Sequence, residues 1–375
     1  MKLTVNIIRI LVGLLFVFSG FIKAIDPLGL AYKMQEFFEA WAGDRMSPTG
    51  IMHWFHEHAL MLAVLMNTLE VALGVALLIG WQRKVTTWFL LLLMIFFLFL
   101  TSYVLFSGKI RTCGCFGDCI PLTPIQTFTK DVILLVLIIF LLLKRQYILP
   151  IVRGVHLVTL LLLGIMFAAL IQSNALGHLP MIDCLPFKKG NNILELRKMP
   201  ADATFDQVEY SFIYKKGDQQ KEFPASALPD SSWQYVDRKS NVVKKGNGKL
   251  PVINDFSLSD MNGNDSTEAI LSQSGEYYLF FMKNFGEARD NWRPAFDKLW
   301  QSAKQQNRNI YIVTADTDST NTYFNKVKNY NVPVLTCDQT AIKTAARVNP
   351  TVYLMKGPIV QGKWAWADID DAIKK

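Results

Sequence analysis

The sequence predicts a polytopic α-helical membrane bundle followed by a soluble α/β domain, and three observations carry that expectation. Residues up to about 173 are dominated by long apolar runs, whereas the remainder carries Lys, Asp, Asn and Gln throughout. Five of those runs, near 5–25, 59–80, 85–108, 127–149 and 155–172, approach the ~20 residues that cross a hydrocarbon layer. From about 251, short β-type runs alternate with helical ones, the order of an α/β sheet. A chain of 375 residues has room for several units. They are a four-span bundle over 1–152, a fifth span over 153–175, an extended linker with a small β-rich module over 176–250, and the α/β domain over 251–375.

Cationic residues set the orientation. Lys2, Arg9, Arg83, Lys84, Lys144, Arg145 and Arg153 fall on one side of the five-span count, against Lys23, Lys33, Arg45, Lys109 and Arg111 on the other. Short loops weigh most in this bias, so the N-terminus is expected in the cytoplasm and everything beyond 173 outside. In a bacterium with two membranes this means the inner membrane with a periplasmic C-terminal domain, in a compartment that permits disulfides. A short basic start and Ala24 also give 5–25 the look of an export signal, but the further runs favour a retained span. The net charge of +8 is spread over both halves without an aromatic-interleaved basic stripe. No nucleic-acid partner is therefore expected, and the lipid bilayer is the partner that the composition requires.

The segment from Arg111 to Cys119, RTCGCFGDC, holds three of the five cysteines. A bond across Cys113-x-Cys115 closes a small ring that is strained and easily reduced, which suits exchange better than stapling. Lys109 and Arg111 would raise the thiolate fraction of the nearest sulfur and Asp118 would lower it, so the attacking cysteine stays open. A static disulfide is the second reading. A metal is the weakest, because structural zinc takes four ligands and only Asp118 or a distant histidine would complete this set.

Between the first two runs, Tyr32, Phe37, Phe38 and Trp41 recur at helical spacing, as in a helix lying in the headgroup region. His53, His56 and Glu57, with His58 beside them, could share a metal or relay protons, but beside Trp54 at a membrane boundary they read more readily as interfacial anchors. Within the spans, Arg9 and Glu70 are costly in hydrocarbon unless paired. An Arg9–Glu70 pair is expected, with Lys23 as the rival partner; structural glue and a quinone or proton site both fit these charges. Gly13, Gly20, Gly74 and Gly80 would let helices approach closely. Thr123-Pro-Ile-Gln126 reads as a helix start. Asp131 then lies one or two turns below it, either exchanging protons with the thiols or simply favouring the helix N-terminus.

Arg9, the Ser19-Gly20-x-x-Lys23 ending of the first span, Glu70-x₃-Gly74 and the Cys-Gly-Cys-Phe-Gly loop together resemble the DoxX and MauE group of membrane proteins over about the first 150 residues. The resemblance implies a four-helix bundle, similar in plan to the disulfide-forming membrane enzymes related to vitamin K epoxide reductase, with quinone-linked or thiol-disulfide chemistry. It also implies redox work for Cys113 and Cys115, a resolving role for Cys119, and bundle roles for Arg9, Lys23 and Glu70.

Prolines around Cys184 make the stretch after the fifth span extended, and Cys184 reads as a small apolar filler, with an approach to the thiol loop as the sharper alternative. Alternating stretches over 206–248 read as strands joined by tight turns. Further on, 254–264 reads as a hairpin, 277–282 and 309–314 as buried strands, 287–306, 318–328 and 338–347 as helices, and 351–364 as a terminal hairpin. This order resembles the thioredoxin-like domains of the peroxiredoxin and envelope thiol-disulfide reductase type, with Pro350 where that family places its cis-proline. Where the family carries its nucleophile, the stretch from Lys283 to Trp292 has no cysteine, and Cys337 reads as structural. The surface around Asn284, Arg289 and Pro350 is thus expected to bind a partner or to present one to the membrane loop.

The expected function is a thiol-disulfide redox protein of the bacterial envelope. It would exchange disulfides with a periplasmic thiol protein through Cys113, Cys115 and Cys119, supported by Asp118 and Asp131, with quinone as the candidate cofactor. Its competitor is a non-catalytic subunit of an envelope complex, with a structural disulfide and a thioredoxin-like docking domain.

Overall fold

The computed structural model describes residues 1–375 except 45–47, 111–112, 153, 218, 287 and 289, and the side chain at 290. The chain opens with α1 (Lys2–Ile25), α2 (Pro27–Gly43), α3 (Thr49–Glu57), α4 (Ala59–Ile79), α5 (Arg83–Ser107), α6 (Pro124–Leu143) and α7 (Val155–Gly177). Of these α1, α4, α5, α6 and α7 are long and apolar enough to cross a membrane, each reaching the roughly 30 Å that about 20 helical residues cover. The chain is a multi-pass membrane protein.

Glycines set the register of the α1–α4 pair. A Cβ on Gly74 would sit 2.8 Å from the Val17 nitrogen, and one on Gly20 3.0 Å from the Val71 nitrogen, so the two antiparallel backbones touch only where side chains are missing. Gly80 acts differently from expectation: at φ 75 it ends α4 in the left-handed conformation and backs onto the Leu149 carbonyl. At the start of α6, Gln126 N donates to Thr123 Oγ1 at 3.3 Å and Thr123 N donates to Gln126 Oε1 at 3.0 Å, a reciprocal cap that anchors the thiol loop to the fourth span.

The segment between α1 and α4 forms two helices, α2 and α3. Phe37 and Trp41 of α2 pack on Tyr103 near the end of α5, so the aromatic stripe covers the thiol-loop end of the bundle. His53 pairs with Glu57 at 3.4 Å and His56 with Glu39 at 3.0 Å. Among the described residues no group of three or more His, Cys, Asp and Glu side chains could hold a metal.

Beyond α7 the chain enters the α/β domain earlier than its composition suggested. Phe187 and Ile193, the latter in α8 (Ile193–Leu196), are buried in the same core as Phe256, Leu258 and Phe281. The β-rich module is therefore inserted into that domain. It comprises β1 (Gln207–Lys216), β2 (Gln219–Pro224) and β3 (Gln234–Lys244), an antiparallel sheet of order β2-β1-β3. Two isolated apolar residues on a Pro- and Lys-rich stretch give no period from which their burial follows.

The rest comprises α9 (Thr267–Leu271), β4 (Glu276–Met282), α10 (Arg293–Gln305), β5 (Asn309–Thr314), α11 (Thr317–Asn321), β6 (Val334–Thr336), α12 (Gln339–Ala345), β7 (Thr351–Lys356), β8 (Ile359–Ala365) and α13 (Ile369–Ile373). The sheet order is β6-β5-β4-β7-β8, with β4, β5 and β6 mutually parallel and β7 and β8 antiparallel. Strand β4 sits at the centre: Tyr277, Leu279 and Phe281 enter one core, Tyr278, Phe280 and Met282 the other, which explains its unbroken apolar run. Two expectations are corrected. The helix assigned to 287–306 begins at Arg293, where Pro294 fits a first turn, and 254–264 makes only isolated bridges from Ser259 to Asp265 and Thr336.

Candidate thiol site

The loop between α5 and α6 is shaped by glycine. Gly114 at φ 71 and Gly117 at φ 58 take left-handed conformations, and Gly117 N donates to Gly114 O at 2.9 Å. Ser19 of α1 donates through Oγ to the Cys115 carbonyl at 3.0 Å. Held in this way, the Cys113 and Cys115 Sγ atoms lie 3.0 Å apart, both half-buried.

Beneath them, within the bundle, is a cavity of about 60 Å³ lined by Cys113, Cys115, Phe116, Lys23, Glu70, Lys130 and Asp131 with Met34, Met66 and Met94. Its charged side chains are paired. Lys23 forms an ion pair with Glu70 and lies 5.0 Å from the centre of the Phe97 ring. Lys130 forms another with Asp131 and lies 5.2 Å from the Phe116 ring. Asp131 is fully buried, and its Oδ2 has no hydrogen-bond partner among the described residues.

The two thiols titrate apart. The hydrogen bond between the two sulfurs, in which either can donate, followed by burial, pushes the Cys113 thiol well above its ordinary value. The same hydrogen bond, helped by the Lys130 ammonium against the opposing effect of burial, pulls Cys115 below it. Of the two thiols Cys115 is thus the one shifted toward ionisation, a distinction the residue types alone left open.

Several expected roles are corrected. Arg9 does not meet Glu70; it donates through Nε to Leu77 O at 2.9 Å, through Nη1 to Leu149 O at 2.7 Å and through Nη2 to Leu78 O. The antiparallel register places Arg9 level with the end of α4, so Lys23, at the other end of α1, takes the carboxylate. Cys119 is not a free resolving thiol but is bonded to Cys184, with Cα atoms 4.9 Å apart. Cys184 is held there because Asp183 pairs with Lys363 at 3.0 Å and Leu185 and Phe187 are buried. Lys109 pairs with Asp44, and Arg111 lies outside the described residues. Lys130 was missed, although its place beside Asp131 two turns into a capped span was a signal.

Asp118 points away from the thiol pair, to Arg347. Arg347 also donates through Nε to Asp26 Oδ2 at 2.8 Å and lies 5.6 Å from the Tyr32 ring centre. Burial works against its charge, but Asp26 and Asp118 outweigh that and hold its pKa above the ordinary value. Lys283 donates to Tyr32 Oη and, at 3.1 Å, to Arg347 O. Asn349, before the cis Pro350, donates through Nδ2 to Asn284 O at 2.7 Å. The Asn284–Pro350 face is thus turned toward the chain's own α2 and thiol loop; Arg289 lies outside the described residues.

Fold and site together define a membrane-spanning helical bundle that carries a thiol loop under an appended α/β domain. The family described as Methylamine utilisation protein MauE matches residues 1–144, which agrees with the MauE part of the resemblance read from the bundle. A second family, described as a domain of unknown function (DUF8463), matches residues 208–245, the inserted β module. Over 140 residues the chain is 30% identical to Protein TlpB of Flavobacterium psychrophilum, a stretch that is 36% of this chain and 35% of that protein. The match spans about a third of that relative's length.

Proposed function

We propose that the chain is a thiol-disulfide redox protein of the bacterial inner membrane, with its N-terminus cytoplasmic and its α/β domain periplasmic, and that Cys113 and Cys115 are the exchanging pair. The observation that carries this reading is the 3.0 Å approach of the two sulfurs over a cavity holding Lys130 and Asp131. The Cys115 thiolate attacks a disulfide of a periplasmic partner, forming a Cys115–partner bond while the partner's other sulfur leaves as thiolate. Cys113 then gives its proton to Asp131 and attacks Cys115 Sγ. This forms Cys113–Cys115, and two electrons have passed to the partner, which is released as a dithiol once protonated. Run in reverse, the same steps oxidise a partner dithiol.

Quinone is the proposed electron carrier. Met34, Met66 and Met94 wall the cavity, and Lys23 and Lys130 are the residues that would orient its head group. At about 60 Å³ the cavity admits a ring only if the flexible methionines yield. When bound, a quinone would take two electrons and two protons from the thiol pair. The parallel trio of strands, the antiparallel β7–β8 hairpin and the cis Asn349–Pro350 bond support a thioredoxin-like fold for the α/β domain. Its one cysteine outside the Cys184 bond, Cys337, is buried and pushed up to about 12 by that burial, so this domain docks and does not exchange. A non-catalytic envelope subunit is the second reading, favoured by this missing nucleophile.

The test is thiol trapping in membranes from cells grown under oxidising and reducing conditions. Cys113 and Cys115 should change state together, and Cys113→Ala should accumulate a mixed disulfide on Cys115. A pair that stays in one state, with no mixed disulfide in the variant, overturns the redox reading in favour of the subunit.

A further inference from the structure

At the opposite end of the bundle from the thiols, a cleft of about 680 Å³ opens between the α4–α5 turn and the start of α7. Its floor is Gly80 with Leu149 and Pro150, and this floor is built: Ile151 N donates to Ile79 O at 3.0 Å and the buried Arg9 holds Leu149 O from behind. One rim carries Arg83 and Lys84, both exposed, and the other carries Leu157 and Val158. Arg83 uses Nη1 on the carbonyls of Gln146 and Ile148, and neither Arg83 nor Lys84 meets a carboxylate among the described residues. Helices α5 and α7 both begin at this cleft without a side-chain cap, so their positive ends add to the field.

Charge is one-sided here. The segments 1–12, 79–89 and 143–158, which make up this end of the spans, contain no Asp or Glu, whereas Lys2, Arg9, Arg83, Lys84, Lys144 and Arg145 all lie there. The cleft therefore joins cations to an apolar wall at the depth where a span meets water, in the volume range of ligand sites. We propose that it binds the phosphate-bearing headgroup of an anionic phospholipid, with Arg83 and Lys84 on the phosphate and an acyl chain along Leu157 and Val158. The site is independent of the thiol chemistry.

The test uses the full chain in detergent, titrated with equal amounts of a phosphatidylglycerol and a phosphatidylcholine and read by native mass spectrometry. The native protein should retain the anionic lipid preferentially. Lys84→Gln, whose side chain bonds to nothing described, should lower that preference about fivefold, the effect of one cation near a lipid phosphate. Val158→Trp should abolish it by filling the cleft with the charges intact, while Lys326→Gln in the α/β domain should leave it unchanged. Equal retention of both lipids, or a preference unchanged in both cleft variants, overturns the proposal. Displacement by inorganic phosphate at a concentration matching the lipid would also overturn it, by showing a free-phosphate site.

Discussion

Cys115 in the membrane loop and Cys337 in the α/β domain are the same chemical group in two surroundings, and the surroundings give them opposite characters. Cys337 is packed beside Leu335 and Ala341, where burial outweighs the backbone hydrogen bonds from Ser257 and Asp338 and the charge of Arg197, and its thiol rises to about 12. Cys115 is half-buried, yet it shares a hydrogen bond with Cys113 and Lys130 stands near, so its thiol falls. Burial therefore does not by itself quench a cysteine. What decides is whether hydrogen bonding and positive charge outweigh desolvation, as they do at Cys115 and do not at Cys337.

The largest test of that contrast is to remove charge from the bundle. Lys23→Met leaves Glu70 buried and uncompensated and should cost ~3–5 kcal/mol, seen as a lowered thermal transition of the solubilised protein; adding Glu70→Leu should restore most of it. Full stability in the single variant would mean that the pair does not hold the site. Next, Arg347→Ala removes the cation shared by Asp26 and Asp118 and should cost ~2–3 kcal/mol. It should loosen the α/β domain from the bundle, seen as faster proteolysis between them with the helices intact. The smallest effect concerns pH. Because Cys115 is lowered, its alkylation should persist below the pH of about 8.5 at which an ordinary thiol half-ionises. Lys130→Met should move that profile upward, and Cys113→Ala should move it further, since the hydrogen bond is the greater cause. Cys337 should stay unreactive in all of them, and equal profiles for Cys115 and Cys337 would dissolve the contrast.

Features written in local pattern could be read directly from the residues. The five spans follow from run length, the Thr123 cap from its spacing to Gln126, and β4 from six apolar residues in a row. The pairing of Lys23 with Glu70 follows from a helix register, and that register is set by which glycines face one another. The sequence favours Arg9 over Lys23 for Glu70, and only the placement of Gly13 and Gly20 against α4 reverses that order. The Cys119–Cys184 bond depends on Asp183 finding Lys363, a contact across 180 positions of chain that no periodicity encodes. Lys130 is hard to read from the sequence because a lysine in the first turns of a span is ordinarily an interfacial anchor.

The bond between Cys119 and Cys184 closes a covalent ring that contains both α6 and α7. Two crossings lie inside that ring, so its sulfurs share one face of the bilayer, and they cannot meet before the last transmembrane helix has been threaded. The cross-link is thus a timestamp of finished biogenesis: a nascent chain stalled after α6 would lack it, and its appearance on a non-reducing gel would report that insertion is complete.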